Sequence, residues 1–109
     1  MSMTVNIYYS GEGGAARAFA EEMVSSGTVR AIREEPGNLR YEYFFPMERP
    51  DTVLLIDSWE NQEAIDRHHQ TPMMAKIIEL REKYDLHMQV ERFVSPAEIP
   101  PKDTEFIRK

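Results

Sequence analysis

From Met3 to Tyr9 the apolar side chains of Met3, Val5, Ile7 and Tyr9 alternate with Thr4, Asn6 and Tyr8, a period of two that predicts a strand ending at Ser10. After a loop holding Gly11, Gly13 and Gly14 the spacing becomes helical. Ala16, Phe19, Ala20, Met23 and Val24 recur on one face and leave Arg17, Glu21 and Glu22 for solvent. Ser25, Ser26 and Gly27 interrupt this helix, Val29, Ala31 and Ile32 resume it, and Pro36 with Gly37 stops it. Period two then returns. Leu39, Tyr41, Tyr43 and Phe45 alternate with Arg40, Glu42 and Phe44, and a turn with Pro46, Pro50 and Asp51 leads into a strand from Thr52 to Trp59, so the two form an antiparallel hairpin. Asn61 is placed as the N-cap of a short helix reaching Gln70. Thr71 and Pro72 open another that packs through Met73, Ile77, Leu80 and Tyr84. His87 to Val94 alternates as a last strand, and the stretch from Ser95, with Pro96, Pro100 and Pro101, shows no period.

The resulting order, β-α-β-β-α-β, is the split βαβ or ferredoxin-like arrangement of the α+β class: one antiparallel sheet with helices on a single face. It predicts a domain over residues 1–95 and an extended C-terminal arm over 96–109. Val53, Leu54, Leu55 and Ile56 are apolar on both faces of their strand, so the face without helices needs a cover. A second copy laid sheet to sheet supplies it, and the expected assembly is a homodimeric α+β barrel.

Composition narrows the function classes. A chain of 109 residues fits one domain that buries about two-thirds of its unfolded surface. A net charge of -6 disfavours nucleic acid and anionic membranes as partners. The absence of cysteine removes thiolate nucleophiles, disulfides and Cys-ligated metals and fits a reducing compartment, so a cytoplasmic location is expected. There is no basic segment followed by an apolar run, and no window nears the roughly 20 apolar residues of a membrane span, so a soluble, unprocessed chain is expected.

The candidate chemistry is sparse. GEGGAAR lacks the Lys-Ser/Thr of a phosphate loop and the spacing of a dinucleotide fingerprint, and is read as a strand-to-helix turn. His68 follows Ile65 by three residues and Ala64 by four, which sets it on the inward face of its helix, with His69 at the edge. It is the candidate base, and a core histidine bonded to a carbonyl is the competing reading. Trp59 offers an indole donor and a flat wall, or simply core. Tyr41 and Tyr43 share a face, as substrate wall, core or dimer contact. Asn6 breaks an apolar strand and offers an amide to a substrate oxygen; Asn38 after Pro36 and Gly37 is first a turn former with unusual backbone geometry and second a substrate contact. His68, His69 and His87 with Asp66 or Asp85 lack any metal-ligand spacing. The charged runs Glu21-Glu22, Glu34-Glu35 and Arg81-Glu82-Lys83 are read as solvated helix faces.

EEPGNLRYEY, DSWENQEAIDRHHQTP and the final QVERFV resemble the antibiotic biosynthesis monooxygenase family over about Val5 to Val94. The specific part is Gly37-Asn38-Leu39-Arg40-Tyr41, Trp59-Glu60, and Ala64-Ile65 with His68 and Thr71-Pro72. The resemblance implies quinol monooxygenases working without metal or flavin, isomerases of a phosphorylated sugar-like metabolite, or haem-degrading enzymes. In the haem-degrading relatives a histidine ligates iron where this chain has Ile78. The isomerase reading needs a cation, Arg40 or Arg67. The expected function is a cofactor-independent monooxygenase acting on a small quinol or phenol, with His68 as base, Trp59, Tyr41 and Tyr43 shaping the site and Asn6 orienting an oxygen. The alternatives are the isomerase and a non-catalytic small-molecule-binding dimer.

Overall fold

The computed structural model describes residues 1–96 and 99–109. Strands β1 (Met3–Ser10), β2 (Asn38–Phe44), β3 (Thr52–Trp59) and β4 (His87–Val94) form one sheet in the order β2-β3-β1-β4, with every neighbouring pair antiparallel. Helices α1 (Ala15–Ser25) and α2 (Thr28–Arg33) lie between β1 and β2, and α3 (Gln62–His69) and α4 (Pro72–Lys83) between β3 and β4. This is the ferredoxin-like α+β arrangement that the alternating periods predict. A four-residue helix, α5 (Pro101–Thr104), lies in the tail and buries no side chain.

Local chemistry sets the element boundaries. Gly27, at φ 82°, separates α1 from α2 where Ser25-Ser26-Gly27 weakens the helical pattern. Asn61 caps α3 by accepting from the Ala64 amide at 2.9 Å. Thr71 heads α4, with Pro72 in its first turn, but its hydroxyl donates to the His68 carbonyl at 2.8 Å and so secures the end of α3 instead of capping α4. The unusual backbone that sequence assigned to Asn38 belongs to its neighbour Gly37, which is left-handed at φ 86°. There the Gly37 carbonyl accepts from the Glu60 amide at 2.8 Å, and a Cβ would stand 2.7 Å from that of Ala64.

Odd-numbered residues of β1 and β3 face the helices. Tyr9, Phe19, Met23, Ile32, Leu55, Trp59, Ile77 and Leu80 form the fully buried centre. Two expectations of the apolar pattern fail. A bulge between Asn38 and Arg40 shifts the β2 register and leaves Leu39 exposed, and Phe45 is exposed just past the end of β2, while Tyr41 and Tyr43 stay inside. Val24 lies on the outer side of α1. The opposite sheet face carries Thr4, Asn6, Tyr8, Leu54, Ile56 and Ser58, with Thr4 and Ser58 joined by a 2.9 Å hydroxyl contact. Among the described residues, no helix is long and apolar enough to cross a membrane.

Candidate functional site

A cavity of about 270 Å³ lies between the sheet and helices α3 and α4, with Tyr41, Asp57, His68, Arg81 and Arg92 among its lining residues. Its chemistry starts at His68. The helical spacing from Ala64 and Ile65 turns this side chain inward, where it is 3 % exposed. Its Nδ1 lies 2.8 Å from Glu35 Oε2, and both side chains are shut off from solvent. A carboxylate only accepts, so Nδ1 carries the proton and Nε2 remains as the ring's acceptor. Trp59 stacks on the imidazole with ring centroids 4.8 Å apart and planes tilted by 30°, and Tyr41 meets it edge-on at 6.3 Å.

The second half of the site is built on β3. Asp57 points to the helix side with Leu55 and Trp59, and its Oδ1 accepts the Trp59 indole N–H at 2.5 Å. Burial raises the Asp57 carboxyl to about 7; the indole bond and Arg81 pull the other way, and the charge of Glu35 adds to the rise. Arg81, from the last turn of α4, donates to the Tyr9 hydroxyl at 2.9 Å, while its Nε is buried without an acceptor among the described residues. Burial pushes the Tyr41 hydroxyl well above the ordinary tyrosine range, so Tyr41 stays a neutral phenol. The cavity thus holds an oriented imidazole, a carboxyl poised near neutrality, a half-satisfied guanidinium and a phenol. Such a set can accept a proton and hold the resulting oxyanion.

The structure gathers some of the sequence candidates and separates others. His68 and Tyr41 line the cavity. Trp59 stands behind them, fully buried, and acts on the site through its stack and its bond to Asp57. Tyr43 backs Tyr41 edge-on at 6.0 Å and borders a separate groove beside α1. Asn38 spends its amide on the carbonyls of Arg40 and Ser58, away from the cavity, as a turn former does. Asn6 is not brought to His68. The strict alternation of β1 sends Val5 and Ile7 to the cavity and Asn6 to the opposite face, across from Ile56 and Glu91, where its Oδ1 is buried without a partner. Arg40 pairs with Glu42, Arg67 with Glu63, and neither reaches the cavity; Ile78 is exposed on α4. Among the described residues, no three His, Cys, Asp or Glu side chains stand where they could hold a metal ion.

Sequence reading missed Glu35, Asp57 and Arg81. Glu35 and Arg81 sat in runs read as solvated, yet within those runs Glu34, Glu82 and Lys83 are exposed while Glu35 and Arg81 turn inward. The signal for Asp57 was available: it occupies the odd, apolar register of β3 between Leu55 and Trp59.

Known proteins resemble this chain in the same parts. Residues 2–80 match the family described as antibiotic biosynthesis monooxygenase. An uncharacterised protein of Synechocystis sp. is 29 % identical over 56 residues, which cover 51 % of this chain and 38 % of that protein, so the match spans about two-fifths of the relative's length. Among solved structures, a Deinococcus radiodurans protein provisionally described as an antibiotic biosynthesis monooxygenase superposes with a TM-score of 0.76 at 19 % identity, covering 91 % of this chain and 96 % of that one. A Pseudomonas aeruginosa protein gives 0.73 at 20 % identity over 88 % and 95 % of the two chains. A Bacteroides thetaiotaomicron protein of unknown function, described as a possible oxidoreductase, gives 0.73 at 18 % identity over 84 % and 95 %. At these identities the structures speak for the fold, and the family match over residues 2–80 speaks for descent. The chain belongs to the antibiotic biosynthesis monooxygenase family.

Proposed function

We propose that the protein is a cofactor-independent monooxygenase that oxidises a small quinol or phenol. The observation that carries this reading is the buried Glu35–His68 pair at the wall of the cavity, since it leaves one imidazole nitrogen free to take a proton. In this reading Nε2 of His68 removes a phenolic proton, the electron-rich anion transfers electrons to dioxygen, and a new C–O bond forms. A dihydroxybenzene and O₂ then give a hydroxyquinone and one water, with no external reductant. Arg81 balances the anionic charge, Tyr41 donates to oxygen, and Glu35 is a positioning residue that fixes the tautomer of His68.

The test is oxygen uptake across a panel of quinols. Uptake should require His68, and His68→Ala should lose roughly 100-fold or more in turnover while remaining folded. Retained turnover in that variant, or no uptake with any quinol, overturns the proposal. A phosphorylated-carbonyl isomerase would act equally well without air, and a binding module would retain ligand without consuming oxygen. For the isomerase, Arg81 and Arg92 replace the cations expected from sequence, because they are the arginines that line the cavity.

A further inference from the structure

Asp57 and Arg81 line one cavity with opposite charge, yet among the described residues no ion pair joins them. Each is partly engaged elsewhere. Trp59 takes Oδ1 of Asp57, and Tyr9 takes one terminal nitrogen of Arg81. What remains is the other carboxyl oxygen of Asp57 and the Nε–H of Arg81, buried without an acceptor. A buried donor on a charged group is costly to leave unmade, so a guest that supplies its acceptor gains what the empty site lacks. Both residues line the same small cavity, so one guest in it meets both. At about 270 Å³ the cavity falls below the range for drug-sized ligands and suits a single ring.

We infer that Asp57 and Arg81 form a two-point recognition site selecting a planar substrate with oxygens on adjacent carbons: a catechol, or a hydroxyl beside a carbonyl. Asp57 accepts from one hydroxyl and Arg81 donates to the neighbouring oxygen. A simple phenol satisfies one of the two and leaves the other orphaned, so discrimination comes from the unmade bond as much as from the made one. This inference rests on the reading of the cavity as the substrate site and names the substrate class within it.

The experiment is anaerobic titration calorimetry of the full chain under argon with three probes: catechol, phenol and resorcinol, whose two hydroxyls sit on non-adjacent carbons. Catechol should bind at least roughly tenfold more tightly than either of the others, and Asp57→Asn or Arg81→Lys should each cut that preference to within about threefold. Equal affinity for catechol and resorcinol in the native protein overturns the inference, as does an undiminished preference in both variants. If either variant loses its near-ultraviolet dichroism, the native comparison decides alone. Excluding oxygen separates the two proposals. Selective binding without aerobic turnover sinks the monooxygenase and leaves the recognition pair standing, whereas aerobic turnover with unselective binding does the reverse.

Discussion

Single side chains in this protein do opposite things from their sequence neighbours. Glu34 is solvated and Glu35 is sealed against His68, although both belong to one acidic pair. Replacing Glu35 with Gln should keep the fold and lower kcat by roughly 10- to 100-fold with KM changed by less than about threefold, and Glu35→Asp should restore part of the loss; steady-state kinetics on whichever quinol is turned over reads the split. Asp57 makes a different prediction. Its folded carboxyl sits near 7 against an ordinary 3.8, so the folded protein keeps a proton that the unfolded chain releases. The resulting stabilisation is complete below the unfolded value and is lost as pH rises towards 7, a swing on the order of 4 kcal/mol. Asp57→Asn should therefore flatten thermal unfolding between pH 4 and 7 and raise the melting temperature above pH 7. A slope unchanged from the native protein would count against the burial argument.

At the scale of elements, the links that hold the site are short backbone contacts. Gly37 lets β2 begin against β3 and α3 by taking a left-handed backbone where any side chain meets Ala64. Gly37→Ala should cost roughly 2–4 kcal/mol, combining backbone strain with overpacking, and should loosen Glu35 two residues away. Asn61→Ala removes the α3 cap and should cost about 1 kcal/mol, read as a shift in the urea midpoint. These elements were largely legible from sequence, because periods of two and 3.6 interrupted by Gly, Pro and Asn mark the strands, helices and caps directly. Of the residues lining the candidate cavity, sequence reading had singled out His68 and Tyr41. Glu35, Asp57 and Arg81 come from the turn before β2, from β3 and from α4, far apart in the chain, and the charges of Glu35 and Arg81 resemble the solvated ones beside them. What distinguishes them is burial, a property of the assembled fold. Asn6 failed for a related reason: a polar residue in an apolar strand stands out, but alternation alone sends it to the face away from the helices.

For the whole molecule, the sheet face without helices bears on assembly. Leu54 and Ile56 are half-buried there beside Tyr8 and Phe44, and the Asn6 Oδ1 lacks a partner. A second copy on this face remains the expectation, and Ile56→Lys should convert a two-copy species into single copies in sedimentation. A species that is already single in the native protein would remove that expectation. The buried Asp57 and the half-satisfied Arg81 also mean that the fold carries charge it does not need for packing. Asp57→Asn is thus expected to gain stability while losing ligand selectivity, a trade expected of a functional site.

The stack of Trp59 on His68 has an optical consequence. Trp59 is the chain's sole tryptophan and its ring centroid lies 4.8 Å from that of the imidazole, so indole emission comes from one fluorophore directly behind the candidate site. A guest beside the imidazole changes the surroundings of the stacked indole and therefore its emission. The natural protein therefore carries its own reporter of occupancy, readable without any label.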